Sequence, residues 1–229
     1  MYSMKEVKDS YTDKKKEDAK KDPWGHNVFR PLSFYPAWLC IKLGITANQV
    51  TFAGIAIGIV GCGLLAFGSW GAIILGAILV NLSTLADFID GDVARTTHTE
   101  SEYGDRMDGF AYLVMVALLP ISVGIGLYRH PDILFSLTPW VYLFLGIIAS
   151  YTRTFRYAAS YQSRLSAEPG EQRPGLLGFL TMWGMRLIII RELLLLVCAI
   201  CNALSLFLAF YAVMNTLEML VILGKVMKK

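Results

Sequence analysis

Long apolar segments constrain the fold of this chain more than any other feature of its sequence. Six of them follow residue 47, and each is close to or longer than the roughly 20 residues that a helix needs to cross a bilayer. They are residues 48–67, 71–94, 106–128, 136–160, 176–199 and 202–224. Strands of a membrane barrel would alternate apolar and polar residues, and these segments do not. The sequence therefore predicts an all-α integral membrane protein with six transmembrane helices.

The composition agrees with that prediction. Of the 229 residues, 55% are hydrophobic and 17% are charged, and the mean hydropathy is +0.51. Many of the 20 glycines lie within the apolar segments, where small residues let helices pack closely. The net charge is only +3, and no basic patch is interleaved with aromatic residues, so the sequence gives no reason to expect nucleic-acid binding.

Two different segments precede the apolar ones. Residues 1–22 are poor in apolar residues and rich in both signs of charge, which is typical of a disordered tail. From Trp24 to Lys42, aromatic residues and leucines are mixed with basic residues and prolines, and this composition predicts an amphipathic helix in the membrane interface. We therefore divide the chain into a charged tail over residues 1–22 and a membrane domain over residues 23–229.

The basic residues of the short loops predict the orientation of the chain in the membrane. If the N-terminus is cytosolic, Arg95 and Arg106, the four arginines at and after the end of the fourth span and the C-terminal lysines all lie on the cytosolic side. The four arginines are Arg153, Arg156, Arg164 and Arg173. Arg129 alone lies outside. An even number of spans returns both termini to the cytosol, and the connection over residues 96–105 is expected there too.

Three carboxylates lie where the second and third predicted spans meet that connection. Asp87 and Asp90 are three residues apart and share one face of a helix, and a returning helix would bring Asp108 to the same level. Carboxylates are costly at membrane depth, so they need a cation or a function. A divalent ion such as Mg²⁺ or Mn²⁺ is one suitable counter-charge. The alternative is a structural role, in which Arg95 and Arg106 neutralise these carboxylates.

Small residues surround the acidic positions. Gly91, Ala94 and Gly104 would leave room for a ligand to lie against the backbone, so a diphosphate could reach metal ions there. Arg95 has two interpretations, a contact with a nucleotide phosphate or an extended side chain that reaches the lipid headgroups. Other charged residues beside the motif, including Asp92, are expected to be mostly solvated.

The spacing D-x2-D-G-x2-A-R-x8-G-x3-D resembles the signature of the CDP-alcohol phosphotransferase family. The sequence matches this signature at seven positions, which are Asp87, Asp90, Gly91, Ala94, Arg95, Gly104 and Asp108. The segment from Gly44 to Thr51 is also similar to the entry of the family's first span, with Ala47 where proline is common. The resemblance extends from about Trp24 to the C-terminus.

The resemblance implies an enzyme that transfers a phosphate-linked alcohol from a CDP-alcohol donor to an acceptor hydroxyl and releases CMP. The acceptor would be an alcohol or a phosphorylated alcohol, and the setting would be membrane lipid and the biosynthesis of phospholipids or related polar lipids. The family resemblance further implies a homodimer. It also implies two Mg²⁺ or Mn²⁺ ions, which Asp87, Asp90 and Asp108 would hold. The CDP moiety would contact Asp87, Gly91, Ala94, Arg95 and Gly104.

The chain departs from the signature at one position. The family has a fourth aspartate, which is thought to be the general base for the acceptor, and this chain has Tyr112 there. Three explanations stay open for an active enzyme: Tyr112 is itself the base, Asp105 supplies the missing carboxylate, or the acceptor arrives already ionised. We favour an altered acceptor to which Tyr112 donates a hydrogen bond. The competing interpretation is a member that has lost catalysis and binds nucleotide or lipid, or assists a partner protein.

Three arginines are candidates for binding an anionic acceptor, namely Arg153, Arg186 and Arg191. The last two lie within an apolar span, where an arginine usually faces a cavity or an acidic partner. Glu192 is not expected to be that partner, because neighbouring residues of a helix point apart. Glu218 is the alternative partner. A transporter is disfavoured as a function, since no repeat relates the two halves of the chain.

Overall fold

The computed structural model describes residues 2–10, 29–132, 134–135, 137–166 and 191–226. The regular structure in these ranges is helical, as the sequence predicts. The helices are α1 (Met4–Asp9), α2 (Phe29–Lys42), α3 (Ala47–Phe67), α4 (Trp70–Thr97), α5 (Glu102–Arg129), α6 (Pro139–Ser166), α7 (residues 191–200) and α8 (Leu204–Val226).

Three of these helices, α3, α4 and α5, are long and apolar enough to cross a membrane. A shorter apolar stretch, Leu204–Leu220, forms most of α8. The sequence prediction is therefore confirmed for an all-helical chain with membrane-spanning helices. The count of six spans stays a prediction, and much of the fifth, over residues 176–190, lies outside the described residues.

Local signals in the sequence define where these helices begin and end. Thr46 caps α3, because its side chain accepts a hydrogen bond from the Gln49 N–H while the Gln49 side chain accepts one from the Thr46 N–H. His98 ends α4 in the left-handed conformation at φ 56°, and the Ser101 side chain caps α5 by accepting from the Gly104 N–H. The connection between α4 and α5 is therefore short, and the two helices run antiparallel from it.

Glycines allow the membrane helices to approach one another closely. A Cβ built on Gly76 of α4 would lie 2.7 Å from the carbonyl oxygen of Gly61 on α3, and one on Gly124 of α5 would lie 2.7 Å from the carbonyl oxygen of Tyr142 on α6. A side chain at either position would therefore force the helices apart. Buried side chains from α3 to α8, including Leu65, form a continuous core around these contacts.

The first ten residues differ from the disordered tail that the sequence predicts for residues 1–22. Residues Met4–Asp9 form α1, which a capping box between Ser3 and Glu6 begins. Val7 is fully buried against Ala37 of α2 and Val93 of α4. Six residues are too few for a stable isolated helix, so this packing accounts for the difference. Residues 11–28 lie outside the described part of the chain.

Helix α2 occupies the segment that the sequence assigns to the membrane interface. It packs against α1 and against the second half of α4, where the acidic motif lies. Its position relative to the bilayer stays a prediction. The packing nevertheless places this helix beside the motif, with Arg30 and Ser33 buried.

Candidate active site

The three aspartates of the motif come together at the α4–α5 hairpin. One carboxylate oxygen from each of Asp87, Asp90 and Asp108 lies within 4.8 Å of the other two. Asp90 is 4% exposed, whereas Asp87 is exposed and Asp108 is half-buried. Thr51 of α3 donates a 2.6 Å hydrogen bond to Asp90 Oδ2, which fixes the orientation of that carboxylate. The three oxygens form a suitable partial ligand set for a hard divalent cation.

The arginines that the sequence suggested as partners of this cluster bind other residues. In the described ranges none of the three aspartates forms a salt bridge. Arg95 binds Asp92 instead, and Arg106 binds the exposed Glu102. The structural alternative, in which Arg95 and Arg106 pair with the three aspartates, is therefore wrong. An external cation remains the fitting counter-charge, because like charges this close repel one another strongly.

The third acidic residue of the motif helix, Asp92, is buried rather than solvated. It is 0% exposed, and its carboxylate accepts hydrogen bonds from Arg95 at 2.6 Å, from Arg30 at 2.7 Å and from Ser33 at 2.6 Å. The expectation of a solvated Asp92 is wrong, because α2 supplies Arg30 and Ser33 as partners. These residues lie 62 and 59 positions from Asp92, so spacing within one helix does not reveal the contact. The Arg95 guanidinium is thereby held by the protein instead of extending toward the headgroups.

The small residues of the motif differ in how much space their neighbours leave for a side chain. A Cβ on Gly91 would lie 3.0 Å from Arg95 Nη1, so glycine leaves the space in which the arginine lies. A Cβ on Gly104 would make only an ordinary 3.6 Å contact with Ser101 Oγ. Ala94 is half-buried. Contacts among the described residues therefore explain why residue 91 is a glycine, but they do not explain the glycine at residue 104.

Tyr112 lies one turn beyond Asp108 and is held by two helix α6 residues. Its Oη accepts a 2.7 Å hydrogen bond from Arg153 Nη2, and its ring centroid lies 5.0 Å from that of Tyr157. Asp105 is exposed and does not belong to the three-carboxylate group. Among the two candidates for replacing the fourth aspartate, Tyr112 is thus the one in a partly buried, hydrogen-bonded position.

A buried polar network continues from Tyr112 across four helices. Arg153 Nη1 donates to Asn215 Oδ1 at 3.4 Å, and Asn215 Nδ2 donates to the Tyr211 carbonyl oxygen at 2.6 Å. Arg191 Nη1 donates to Tyr211 Oη at 3.5 Å. We call this set, completed by Glu192, the arginine network. Its members Tyr112, Arg153, Arg191, Glu192, Tyr211 and Asn215 come from α5, α6, α7 and α8.

The ionic partners within this part of the protein differ from those expected. Arg191 forms a salt bridge with Glu192, the neighbour that the helix geometry seemed to exclude, and Glu218 binds Arg156 instead. The prediction for Glu192 is wrong because it considered the direction of the Cβ atoms alone, whereas long side chains can bend toward each other when burial removes competing water. Glu218 binds Arg156 rather than Arg191, and its pairing with Arg186 stays a prediction. Arg186 lies outside the described residues.

Comparison with known families agrees with the motif. A family model for CDP-alcohol phosphatidyltransferases matches residues 44–224, which is most of the chain. The chain belongs to the CDP-alcohol phosphatidyltransferase family. A search of curated proteins finds no match. Members of this family reside in membrane lipid, generally use divalent metal ions, and transfer a phosphate-linked alcohol from a CDP-alcohol to an alcohol acceptor.

The chain brings its motif residues to one place and its other candidate residues to a second. The motif residues Asp87, Asp90 and Asp108 meet at the α4–α5 hairpin, whereas Arg153 and Arg191 belong to the arginine network. The hydrogen bond from Thr51 was not among the sequence predictions. A signal was present, because a threonine four residues after Ala47 is a polar side chain near the N-terminal end of an apolar helix.

Proposed function

We propose that this chain is a metal-dependent enzyme that transfers a phosphate-linked alcohol from a CDP-alcohol donor to an acceptor hydroxyl, with release of CMP. The observation that carries the proposal is the group of three aspartates, whose oxygens lie within 4.8 Å of one another on the two helices that bear the family motif. Bound Mg²⁺ or Mn²⁺, in the proposal two ions, would neutralise the diphosphate and stabilise the departing phosphate.

The chain's own residues hold and orient the donor in this proposal. Asp87, Asp90 and Asp108 are the metal ligands, and Thr51 keeps the Asp90 carboxylate in one orientation. Gly91, Ala94 and Gly104 provide the surface against which the CDP moiety lies. A side chain at residue 104 would meet only an ordinary contact among the described residues, so the space that Gly104 leaves open supports a ligand there.

Arg95 is the remaining donor contact in this proposal. Asp92 binds the Arg95 guanidinium, and Gly91 leaves the space in which that guanidinium lies. The arginine is therefore ordered before any nucleotide binds. A fixed guanidinium stabilises a phosphate more effectively than a mobile one, because its rotamer entropy has already been lost.

The acceptor of the proposed reaction is anionic. Arg153 and Arg191 are both buried, and within the described part of the chain the Nε atom of each has no hydrogen-bond partner. Unpartnered donors in a buried site favour an acidic ligand, such as the phosphate of a phosphorylated alcohol. Tyr112 would hydrogen-bond the same acceptor, since Arg153 already holds its Oη in the network. Arg186 is proposed as a third contact on the basis of its sequence position alone.

The proposed setting is the cytosolic leaflet of a membrane. Six transmembrane helices, an interfacial α2, cytosolic termini and a cytosolic active site follow from the apolar segments and the loop arginines. A homodimer follows from the family resemblance. The pathway would be the synthesis of a phospholipid or a related polar lipid. The burial of Arg30 and Ser33 against the motif helix supports the placement of α2 next to the cytosolic site.

One observation favours a second function, in which the protein binds nucleotide or lipid without catalysis. The position of the fourth aspartate carries a tyrosine whose Oη already accepts a hydrogen bond from Arg153, so it lacks the carboxylate of an ordinary general base. The retained metal cluster argues for the enzyme, because a binding protein would not need three uncompensated carboxylates.

The deciding experiment incubates purified protein with Mn²⁺ and a panel of CDP-alcohols, and measures CMP release with neutral and phosphorylated acceptors. The proposal expects release that depends on both substrates and is faster with a phosphorylated acceptor. Binding of CDP-alcohol without CMP release from any pair would support the second function.

A further inference from the structure

Glu192 is a buried carboxylate that the proposed function does not yet use. It is 2% exposed, its Oε1 accepts a hydrogen bond from Arg191, and its Oε2 has no hydrogen-bond partner among the residues that the structure describes. Leaving a buried charged oxygen unpaired is costly, so such an atom calls for an explanation. The carboxylate neutralises Arg191 through Oε1, which explains its presence in the core. This role does not explain why Oε2 is unpaired.

The neighbouring helix places Glu192 next to the acidic cluster. Asn81 Nδ2 of α4 donates a 3.0 Å hydrogen bond to the Glu192 carbonyl oxygen, and Asp87 lies six residues further along α4. Among the described residues, Glu192 does not belong to the group of three whose carboxylate oxygens lie within 4.8 Å of one another. The hydrogen bond from Asn81 nevertheless places it beside the helix that carries Asp87 and Asp90, where the charges of Glu192 and Asp87 can interact.

The direction of α7 agrees with this position. Asp132, which follows the end of α5, accepts a 2.7 Å hydrogen bond from the Ser205 N–H at the start of α8, so the end of α7 lies at the end of α5. Since α4 and α5 are antiparallel, α7 is antiparallel to α4. Side chains tilt toward the N-terminus of their own helix, and for Glu192 this direction is toward Asp87.

The arginine network joins Glu192 to the position of the missing aspartate. Hydrogen bonds lead from Glu192 to Arg191, then through Tyr211, Asn215 and Arg153 to Tyr112. Glu192 is thus linked through this network to the residues that would bind an anionic acceptor.

We propose that Glu192 is the general base of this enzyme and takes over the role of the family's fourth aspartate. This inference rests on the proposed function. The acceptor oxygen forms a bond to the phosphorus next to the donor alcohol, and the bond from that phosphorus to the bridging oxygen breaks. CMP leaves with that oxygen, and the proton of the acceptor hydroxyl moves to Glu192 Oε2. Arg191 keeps the carboxylate ionised and oriented through Oε1.

The test compares Glu192→Gln with a matched control, Glu218→Gln, in single-turnover CMP release with Mn²⁺, a CDP-alcohol and a phosphorylated acceptor. Glu218 is also a buried glutamate bound to an arginine, but neither of its oxygens is among the unpartnered buried atoms of the described chain. We expect Glu192→Gln to lower the rate by about 100-fold or more without changing donor affinity, because a general base contributes roughly 100- to 10,000-fold. Glu218→Gln should keep the rate.

A second variant separates catalysis from folding. In the Glu192→Gln background, Tyr112→Asp restores a carboxylate at the family's position, and we expect it to recover at least tenfold in rate. A purely structural Glu192 predicts no such recovery. If Glu192→Gln does not fold, Glu192→Asp keeps the charge next to Arg191 but withdraws it by one methylene, and its rate should fall while its melting temperature in detergent is preserved.

The outcomes distinguish the two proposals. A Glu192→Gln rate within threefold of the wild type, an unchanged Glu192→Asp rate, or a loss that Tyr112→Asp does not recover overturns the role of Glu192 alone. A wild-type protein that releases no CMP with any substrate pair overturns the proposed function and this inference with it.

Discussion

The acidic cluster and the arginine network are adjacent polar sites that the chain builds in opposite ways. Three aspartates from one helical hairpin form the acidic cluster, and no salt bridge within the described residues neutralises them. The arginine network draws its members from four helices, and its two arginines have partners of their own, Glu192 and Tyr112. The first site is suited to a cation and the second to an anion. A metal-bound diphosphate and an anionic acceptor would therefore meet at their border.

Removal of the metal from the acidic cluster should have the largest effect on CMP release. We expect a chelator, or Asp90→Asn, to lower CMP release by about 1,000-fold or more, since a catalytic metal contributes several kcal/mol and each 1.4 kcal/mol is tenfold. The measurement is CMP release with and without added Mn²⁺. Glu102→Gln is the control, because its exposed salt bridge to Arg106 contributes little. Undiminished activity in chelator would show that the acidic cluster is not a metal site.

Asp92 tests whether the pairing of a carboxylate decides its role. Asp92→Asn should destabilise the protein by about 3–5 kcal/mol, because it leaves the buried Arg30 and Arg95 without their counter-charge. Thermal unfolding in detergent measures the effect. Asp87→Asn, in metal-free buffer, should leave the melting temperature unchanged or raise it, since it removes repulsion within the cluster. Equal losses in the two variants would contradict the distinction between a paired and an unpaired carboxylate.

The arginines test the anionic character of the second site. We expect Arg191→Ala to raise the KM for a phosphorylated acceptor by about 10- to 100-fold, with a smaller change for the donor, because a charge-assisted hydrogen bond contributes roughly 1.5–3 kcal/mol. The rate should also fall, because Glu192 loses the partner that keeps it ionised. Arg186→Ala should act in the same direction. Arg156→Lys is the control, because Arg156 is bound to Glu218 outside the network. Lower expression with an unchanged acceptor KM would make these arginines structural.

Tyr112 should give the smallest effect. Tyr112→Phe removes one hydrogen bond and should weaken acceptor binding about threefold to tenfold, as expected for roughly 0.5–1.5 kcal/mol. Asp105→Asn should change nothing, since Asp105 is exposed and outside the cluster. Acceptor KM and single-turnover rates across pH measure both variants. A rise of several orders of magnitude in Tyr112→Asp from a nearly inactive parent would instead identify the protein as a non-catalytic binder.

The sequence predicted the helices well where the chain carries the whole signal locally. The first three apolar segments form α3, α4 and α5, because their lengths match a bilayer and their caps are adjacent in sequence. It failed for residues Met4–Asp9, where a single buried valine stabilises a helix that composition argues against. Composition describes an isolated segment, whereas the stability of a short helix depends on what it packs against.

The sequence by itself determined the acidic cluster. Asp87 and Asp90 share a helix face by their spacing, and a short connection returns Asp108 to the same level, so local geometry alone brings the three together. Only the tertiary structure decided which charges are neutralised. Asp92 meets Arg30 from 62 positions away, and Arg156 meets Glu218 across the same separation, in pairs that no helical period predicts. The physical reason is that burial makes the choice of ionic partner depend on the packing of helices distant in sequence, not on spacing within one helix.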